Sequence, residues 1–218
     1  MNKKWLVVAT VAAVLLAFVG AALVLTDRSV QEATQAAKRH HEALVRAHAP
    51  VFGNPAARVT IVEFFDPACE TCRAFYPVVK SIVNSSFGQV RLVVRYAPLH
   101  KGSDIAIQIL EAARLQGKYW EALERTLADQ PRWAAHHSPQ PALIWDVIGD
   151  LGLDMTKARA DAASPVIAQT LQQDIADMRA LKVDRTPGFF VNGTPLREFG
   201  EAQLKALVDQ EIAKAKAP

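Results

Sequence analysis

Val59-Thr60-Ile61-Val62-Glu63-Phe64-Phe65-Asp66 leads through Pro67-Ala68 into Cys69-Glu70-Thr71-Cys72. The first seven residues are β-branched or aromatic apart from Glu63, the composition of a strand. The cysteine motif behind them opens a helical stretch. A thiol at a helix N-terminus feels the positive end of the helix dipole. That favours the thiolate, the nucleophile of disulfide exchange. These are the only two cysteines in 218 residues, so there is no third thiol for a structural bridge. Spaced C-x-x-C, they can close a disulfide with each other and pass it on. An inert bridge and half of a zinc site are the competing readings. Zinc takes about four ligands, and the chain has no second C-x-x-C and no His-x-x-His pair. Thiol–disulfide redox chemistry is therefore the first expectation. Cys69, at the helix start, is the predicted attacking thiol. Cys72, one helical turn on, is predicted to resolve the mixed disulfide.

Working outward, the helix is predicted over Arg73 to Val83, with Pro77 inside it as a kink. Asn84-Ser85-Ser86 and Gly88 end it, and Val90-Arg91-Leu92-Val93-Val94-Arg95-Tyr96 reads as the next strand. Strand–helix–strand order favours a parallel pair with a right-handed crossover. Val51 to Pro55 reads as a turn-rich approach to the first strand. Residues 101–182 are helical in pattern and read as a subdomain inserted in one fold. Ile105, Ile109, Ala112, Ala113 and Leu115 are expected on one buried face. Tyr119 to Leu123 leads a second helix, Pro141 to Leu151 forms a third, and Ser164-Pro165 caps a fourth. Strand character returns at Gly188-Phe189-Phe190-Val191, with an Asn192-Gly193 hairpin turn and Thr194 to Arg197 returning. Glu201 to Lys214 is a final amphipathic helix with Leu204, Leu207, Val208 and Ile212 on one side.

Two further features bear on chemistry. Glu63 places a charge between Val62 and Phe64, which is costly unless it has a purpose. It is read either as an acid beneath the motif that exchanges a proton with Cys72, or as a solvated edge residue. Thr186-Pro187 precedes a strand and is read either as a direction-setting proline or as a cis-proline loop. In the second reading the Thr186 backbone pairs with an extended substrate. His100 reads as a loop histidine near the motif. His40-His41 and His136-His137 read as solvated pairs, with copper or zinc binding as the alternative.

Trp5 to Leu25 is an uncharged apolar run of 21 residues. That is long enough to span a bilayer, which takes roughly 20 residues. Lys3 and Lys4 precede it, so the N-terminus is expected in the cytoplasm and the rest of the chain across the membrane. A cleaved signal peptide, with Val19-Gly20-Ala21 as the cleavage site, is the competing reading. The run continues past that site to Leu25, which favours an uncleaved anchor. Either way the domain reaches an oxidising compartment. Residues 1–26 are thus the anchor, 27–50 a helical stalk and 51–218 the catalytic domain. Val30, Ala33, Ala37, Leu44 and Val45 give the stalk a weak apolar stripe. A net charge of +3 is too small to argue for a nucleic-acid partner.

The run from Val62 to Asp66 with Cys69-x-x-Cys72, the helix proline Pro77, and Thr186-Pro187-Gly188-Phe189-Phe190-Val191-Asn192-Gly193 resemble the DsbA-like thiol–disulfide oxidoreductases. The helical block between them matches that family's insertion, and the resemblance covers residues 50–218. It implies a thioredoxin-like α/β fold with an inserted helical subdomain, here behind a transmembrane helix. It implies an enzyme of the bacterial inner membrane with its catalytic domain in the periplasm, or a periplasmic one if the N-terminal segment is cleaved. Its partners would be cysteine-containing exported proteins and a membrane redox protein, with no cofactor and no metal. By position, Cys69 is the nucleophile, Cys72 the resolving thiol, Glu63 the buried acid, Pro187 the cis-proline and Thr186 a substrate contact. Strongly oxidising members carry Pro-His between the cysteines. Here Glu70-Thr71 stand there, and a glutamate disfavours the thiolate by charge. A weaker oxidant is therefore expected. Gly188, where many relatives carry threonine, is expected to widen the substrate groove. The leading expectation is an oxidase recharged by a quinone-coupled membrane partner. The alternatives are a reductase or isomerase fed by a membrane electron donor, and a redox-regulated chaperone or metal-handling module.

Overall fold

The computed structural model describes Gln35, residues 40–135 and residues 139–216. The predicted membrane segment 5–25, half of the stalk and His136-His137 lie outside the described residues. Among the described residues no helix is long and apolar enough to cross a membrane. The chain divides into two units, Met1–Glu42 and Ala43–Pro218. In the first, Gln35 and residues 40–42 are helical and exposed. The second holds everything described below, including the last eight residues of the expected stalk.

Five strands form one mixed sheet: β1 (Val51–Gly53), β2 (Val59–Phe65), β3 (Val90–Tyr96), β4 (Gly188–Val191) and β5 (Thr194–Pro195), in the order β1-β3-β2-β4-β5. β2 is central and buried along its whole length. It runs parallel to β3, from Val59 opposite Val90 to Phe65 opposite Tyr96, and antiparallel to β4. The parallel pair is joined by α1 (Glu70–Ser85), the predicted crossover helix, which runs on through Pro77. Asn192 and Gly193 both have positive φ, 46° and 86°, as a two-residue hairpin turn of this twist requires.

The sequence reading missed two things here. Val51-Phe52-Gly53 is an edge strand, antiparallel to β3, with Val51 opposite Val93. The returning strand after the hairpin is also only two residues long.

Between β3 and β4 lies the inserted helical block. It consists of α2 (Ser103–Leu115), α3 (Tyr119–Ala128), α4 (Gln130–Trp133), a 3-10 turn (Pro141–Leu143) running into α5 (Ile144–Val147), α6 (Met155–Ala162) and α7 (Pro165–Ala180). α8 (Glu201–Lys216) closes the chain. The predicted caps hold at α7, where the Ser164 side chain accepts from the Ile167 N–H and Pro165 opens the helix. The buried face of α2 differs from the expected one: Ile105 and Leu115 are about half exposed. Ile109, Ala112 and Ala113 are buried as expected, and Ala106, Ile107 and Leu110 are buried too, because α2 sits among its neighbours and is covered on more than one side.

Side chains alternate across the sheet. Ile61 and Phe65 of β2 pack with α1, the helical block and α8 on one face. Val62 and Phe64 pack on the other with Leu44, Ala49 and Met178 of α7. Glu63 shares the face of Ile61 and Phe65, toward α1.

Candidate active site

Cys69 is the N-cap of α1. Its backbone is extended, and its Sγ accepts from the Cys72 N–H at 3.5 Å. Both cysteines are reduced. Cys69 is 6% exposed and Cys72 is sealed from solvent, so Cys69 is the more exposed of the two, as expected. The electrostatics separate them further. Hydrogen bonds from the Cys72 thiol, the Thr186 side chain and the Cys72 and Thr71 backbones outweigh burial and bring Cys69 down to about 5. Burial, the proton shared with Cys69, and the charges of Glu63 and Cys69 push Cys72 well up. One thiol is thus a thiolate at neutral pH and its neighbour a proton holder. Glu70 and Thr71 are exposed at the first turn of α1.

Glu63 is 1% exposed, opposite Val94 on one side and Phe189 on the other. The edge reading is therefore excluded. Burial, then the Cys69 charge, raise its carboxyl to about 8, and its Oε1 makes no hydrogen bond to protein. The Thr186-Pro187 bond is cis. Cys69 Sγ lies 3.3 Å from the Thr186 carbonyl oxygen, to which the thiol donates when protonated, so the cis-proline loop lies against Cys69, as the family resemblance implies. Gly188 behaves differently from expectation. A Cβ there would sit 3.0 Å from Val183 Cγ1 and 3.7 Å from Phe64 Cβ. The Arg185 carbonyl would lie 3.4 Å from it, so the glycine makes room for Val183 and for the backbone just before the cis-proline.

Two site residues, Asp66 and Gln130, escaped the sequence reading, and a third, His100, was expected near the motif only as a loop histidine. Asp66, fully buried, donates its N–H to Cys72 Sγ at 3.5 Å. Its carboxylate accepts from Ala68 N–H at 2.9 Å, Leu99 N–H at 2.8 Å, His100 N–H at 2.9 Å and the Ser103 hydroxyl. It also pairs with His100 Nδ1 at 2.8 Å, which makes His100 part of the site rather than a bystander. Gln130, at the start of α4, donates Nε2 to the Pro67 carbonyl at 2.7 Å and the Cys69 carbonyl at 3.0 Å. The helical block thereby fixes the loop that carries Cys69. The usable signals were the position of Asp66 beside the motif and that of His100 in the loop after β3; Gln130 stands 61 residues from Cys69. Cys69, Glu70, Thr71, His100 and Lys101 line one open cleft of about 440 Å³.

The thioredoxin family model matches residues 46–210. The solved structure of a thioredoxin-like oxidoreductase from Silicibacter pomeroyi DSS-3 is 31% identical, with a TM-score of 0.68. The match covers 81% of this chain and 98% of that one. Disulfide bond formation protein D of Bacillus subtilis is 23% identical over 175 residues, 75% of this chain and 77% of that protein. A Na(+)/H(+) antiporter NhaA of Herminiimonas arsenicoxydans is 32% identical over 157 residues, 72% of this chain but 24% of that protein. The chain spans about a quarter of the length of the antiporters it matches.

Proposed function

The chain belongs to the thioredoxin family, with the DsbA-like fold and the site of a thiol–disulfide oxidoreductase, and from that premise we propose that it is an extracytoplasmic oxidase. It would donate the Cys69–Cys72 disulfide to cysteine-containing exported proteins. The observation that carries this reading is the split between the two thiols, Cys69 at about 5 and Cys72 raised. A thiol of low pKa is a good leaving group, and a stabilised thiolate favours the reduced enzyme, which makes its disulfide oxidising.

The residues divide the work as follows. A substrate thiolate attacks Cys69 Sγ, and the Cys69–Cys72 bond breaks. Cys72 leaves with the electron pair and takes a proton, for which Glu63, protonated below about 8, is the donor. A second substrate thiolate then attacks the substrate sulfur of the mixed disulfide, and Cys69 leaves as a thiolate. The substrate dithiol has lost two electrons and two protons. The cysteine pair holds both electrons and one proton, and the other proton goes to solvent. The Thr186 backbone beside Cys69 aligns the substrate as an added strand.

Residues 5–25 would tether the domain to the inner membrane, with Lys3 and Lys4 in the cytoplasm and the active site in the periplasm. A quinone-coupled membrane protein would take up the electrons. The Bacillus subtilis relative is called disulfide bond formation protein D, which supports the oxidase direction.

Equilibration of the soluble unit with glutathione buffers tests the direction. Glu70 places the expected potential below the strongest oxidants, between about −120 and −200 mV, with disulfides formed in a reduced, unfolded substrate. A value near −270 mV with no substrate oxidation would overturn the oxidase reading. Cys69→Ser should abolish turnover, and Cys72→Ser should trap a mixed disulfide on Cys69.

A further inference from the structure

Asp66 is buried without lysine or arginine. Among the described residues its one ion-pair partner is the His100 ring. Ala68 N–H and the Ser103 hydroxyl occupy its Oδ1, while Leu99 N–H, His100 N–H and His100 Nδ1 converge on Oδ2. This arrangement ties the imidazole to the carboxylate through both ring and backbone, so the ring has little freedom to turn away. The other side of the ring is open, since the His100 side chain is 50% exposed, and it lines the same cleft as Cys69 and Glu70.

We propose that His100 is a positioning residue for thiol–disulfide exchange, an imidazolium held beside the Cys69 cleft by Asp66 that stabilises the Cys69 thiolate through its charge. The proposal rests on the reading of Cys69 as the attacking thiol and adds the group that offsets Glu70. The charged groups around His100 can be named from each side. Asp66 lies on its inner side, Cys69 and Glu70 belong to the start of α1, Lys101 is its neighbour in the loop, and Asp104 of α2 lines the next cleft. Burial works against the proton on His100. The bond to Asp66 and the charges of Asp66, Cys69 and Glu70 outweigh it and hold the ring above the usual histidine value. The coupling is reciprocal: what keeps a proton on His100 keeps one off Cys69.

Thiolate absorbance of Cys69 is titrated in the reduced protein, for the wild type, His100→Gln and His100→Lys. His100→Gln should raise the Cys69 midpoint by roughly half to one unit, the effect of one charge across a half-solvated cleft. The equilibrium constant with glutathione should move three- to tenfold toward a weaker oxidant, about 15–30 mV. His100→Lys, which keeps the charge, should restore the wild-type midpoint. Equal shifts in both variants, or no shift in His100→Gln, would overturn the proposal. A wild-type NMR titration of the His100 ring needs no variant. Its midpoint should fall when Cys69 and Cys72 are oxidised, and an unchanged midpoint would also sink the idea. Failure of the underlying reading looks different: Cys69 of the wild type would titrate near the ordinary thiol value of about 8.5.

Discussion

Glu63 on β2 and Asp174 on α7 are both sealed from solvent, on opposite faces of one sheet, and the protein treats them in opposite ways. Asp174 is saturated. It accepts from Arg95 Nη2 at 2.7 Å, from the Tyr96 N–H at 2.8 Å and pairs with His48 Nε2 at 2.6 Å. Its neighbour Asp177 pairs with Arg95 and with Arg46, each at 2.7 Å, and these partners hold it below the usual carboxylate range despite burial. Arg95 also donates to the carbonyls of Ala43 and Leu44. This network pins the segment leading into β1 onto the sheet and α7. Among the described residues Glu63 pairs with no cation; it has an oxygen without a hydrogen bond and sits near a sulfur that becomes negative. A buried acid with full partners is architecture. One denied partners keeps its proton at neutral pH and can give it away.

That contrast can be broken at its strongest point first. Arg95→Met takes the shared arginine from both carboxylates, leaving Asp174 to His48 and the Tyr96 N–H and Asp177 to Arg46, and should cost about 3–5 kcal/mol, read from the urea midpoint. A loss under 1 kcal/mol would mean that the network is ornamental.

Glu63→Gln should do the reverse for stability while impairing chemistry. A group raised from 4.5 to about 8 contributes stability below pH 4.5 that is lost as pH rises toward 8. The wild type therefore weakens through that window and the glutamine variant does not. At pH 9 the variant should gain a few kcal/mol on the reduced wild type relative to pH 4, at about 1.4 kcal/mol per unit. Its exchange rate should fall roughly tenfold to a hundredfold at neutral pH, as loss of a general acid does. An unchanged rate would remove Glu63 from the proton path.

Gln130→Leu carries the smallest expected effect. It strips the donor from two backbone carbonyls of the cysteine loop and should cost about 1–3 kcal/mol. A shift in the glutathione equilibrium alongside would place Gln130 with the chemistry; a stability loss alone would place it with the architecture.

The sequence was legible where the causes of structure are local. β2, the cysteine motif, α1 and β3 follow from apolar patterning, turn residues and helix capping within forty residues. The hairpin follows from Asn192-Gly193, which tolerate positive φ. β1 was not legible, because Val51-Phe52-Gly53 carries too little pattern to be told from a turn; its pairing with β3 makes it a strand. The α2 face was misassigned because periodicity shows one stripe, and only the neighbouring helices decide how many sides are covered.

The site divides along the same line. Cys69 and Cys72 carry their pairing in their own identity and spacing, so the sequence by itself pointed to a redox pair; Thr186-Pro187 was set beside it only by resemblance, and the fold places it there. Whether Glu63 was an edge residue or a buried acid depended on strand order, which put β2 between β3 and β4. Asp66, His100 and Gln130 acquire roles only across separations of 34 to 63 residues. Chain folding closes those distances, and burial then sets the local dielectric and the proton affinities. Those affinities belong to the tertiary structure because they depend on what surrounds a group, not on what precedes it in the chain.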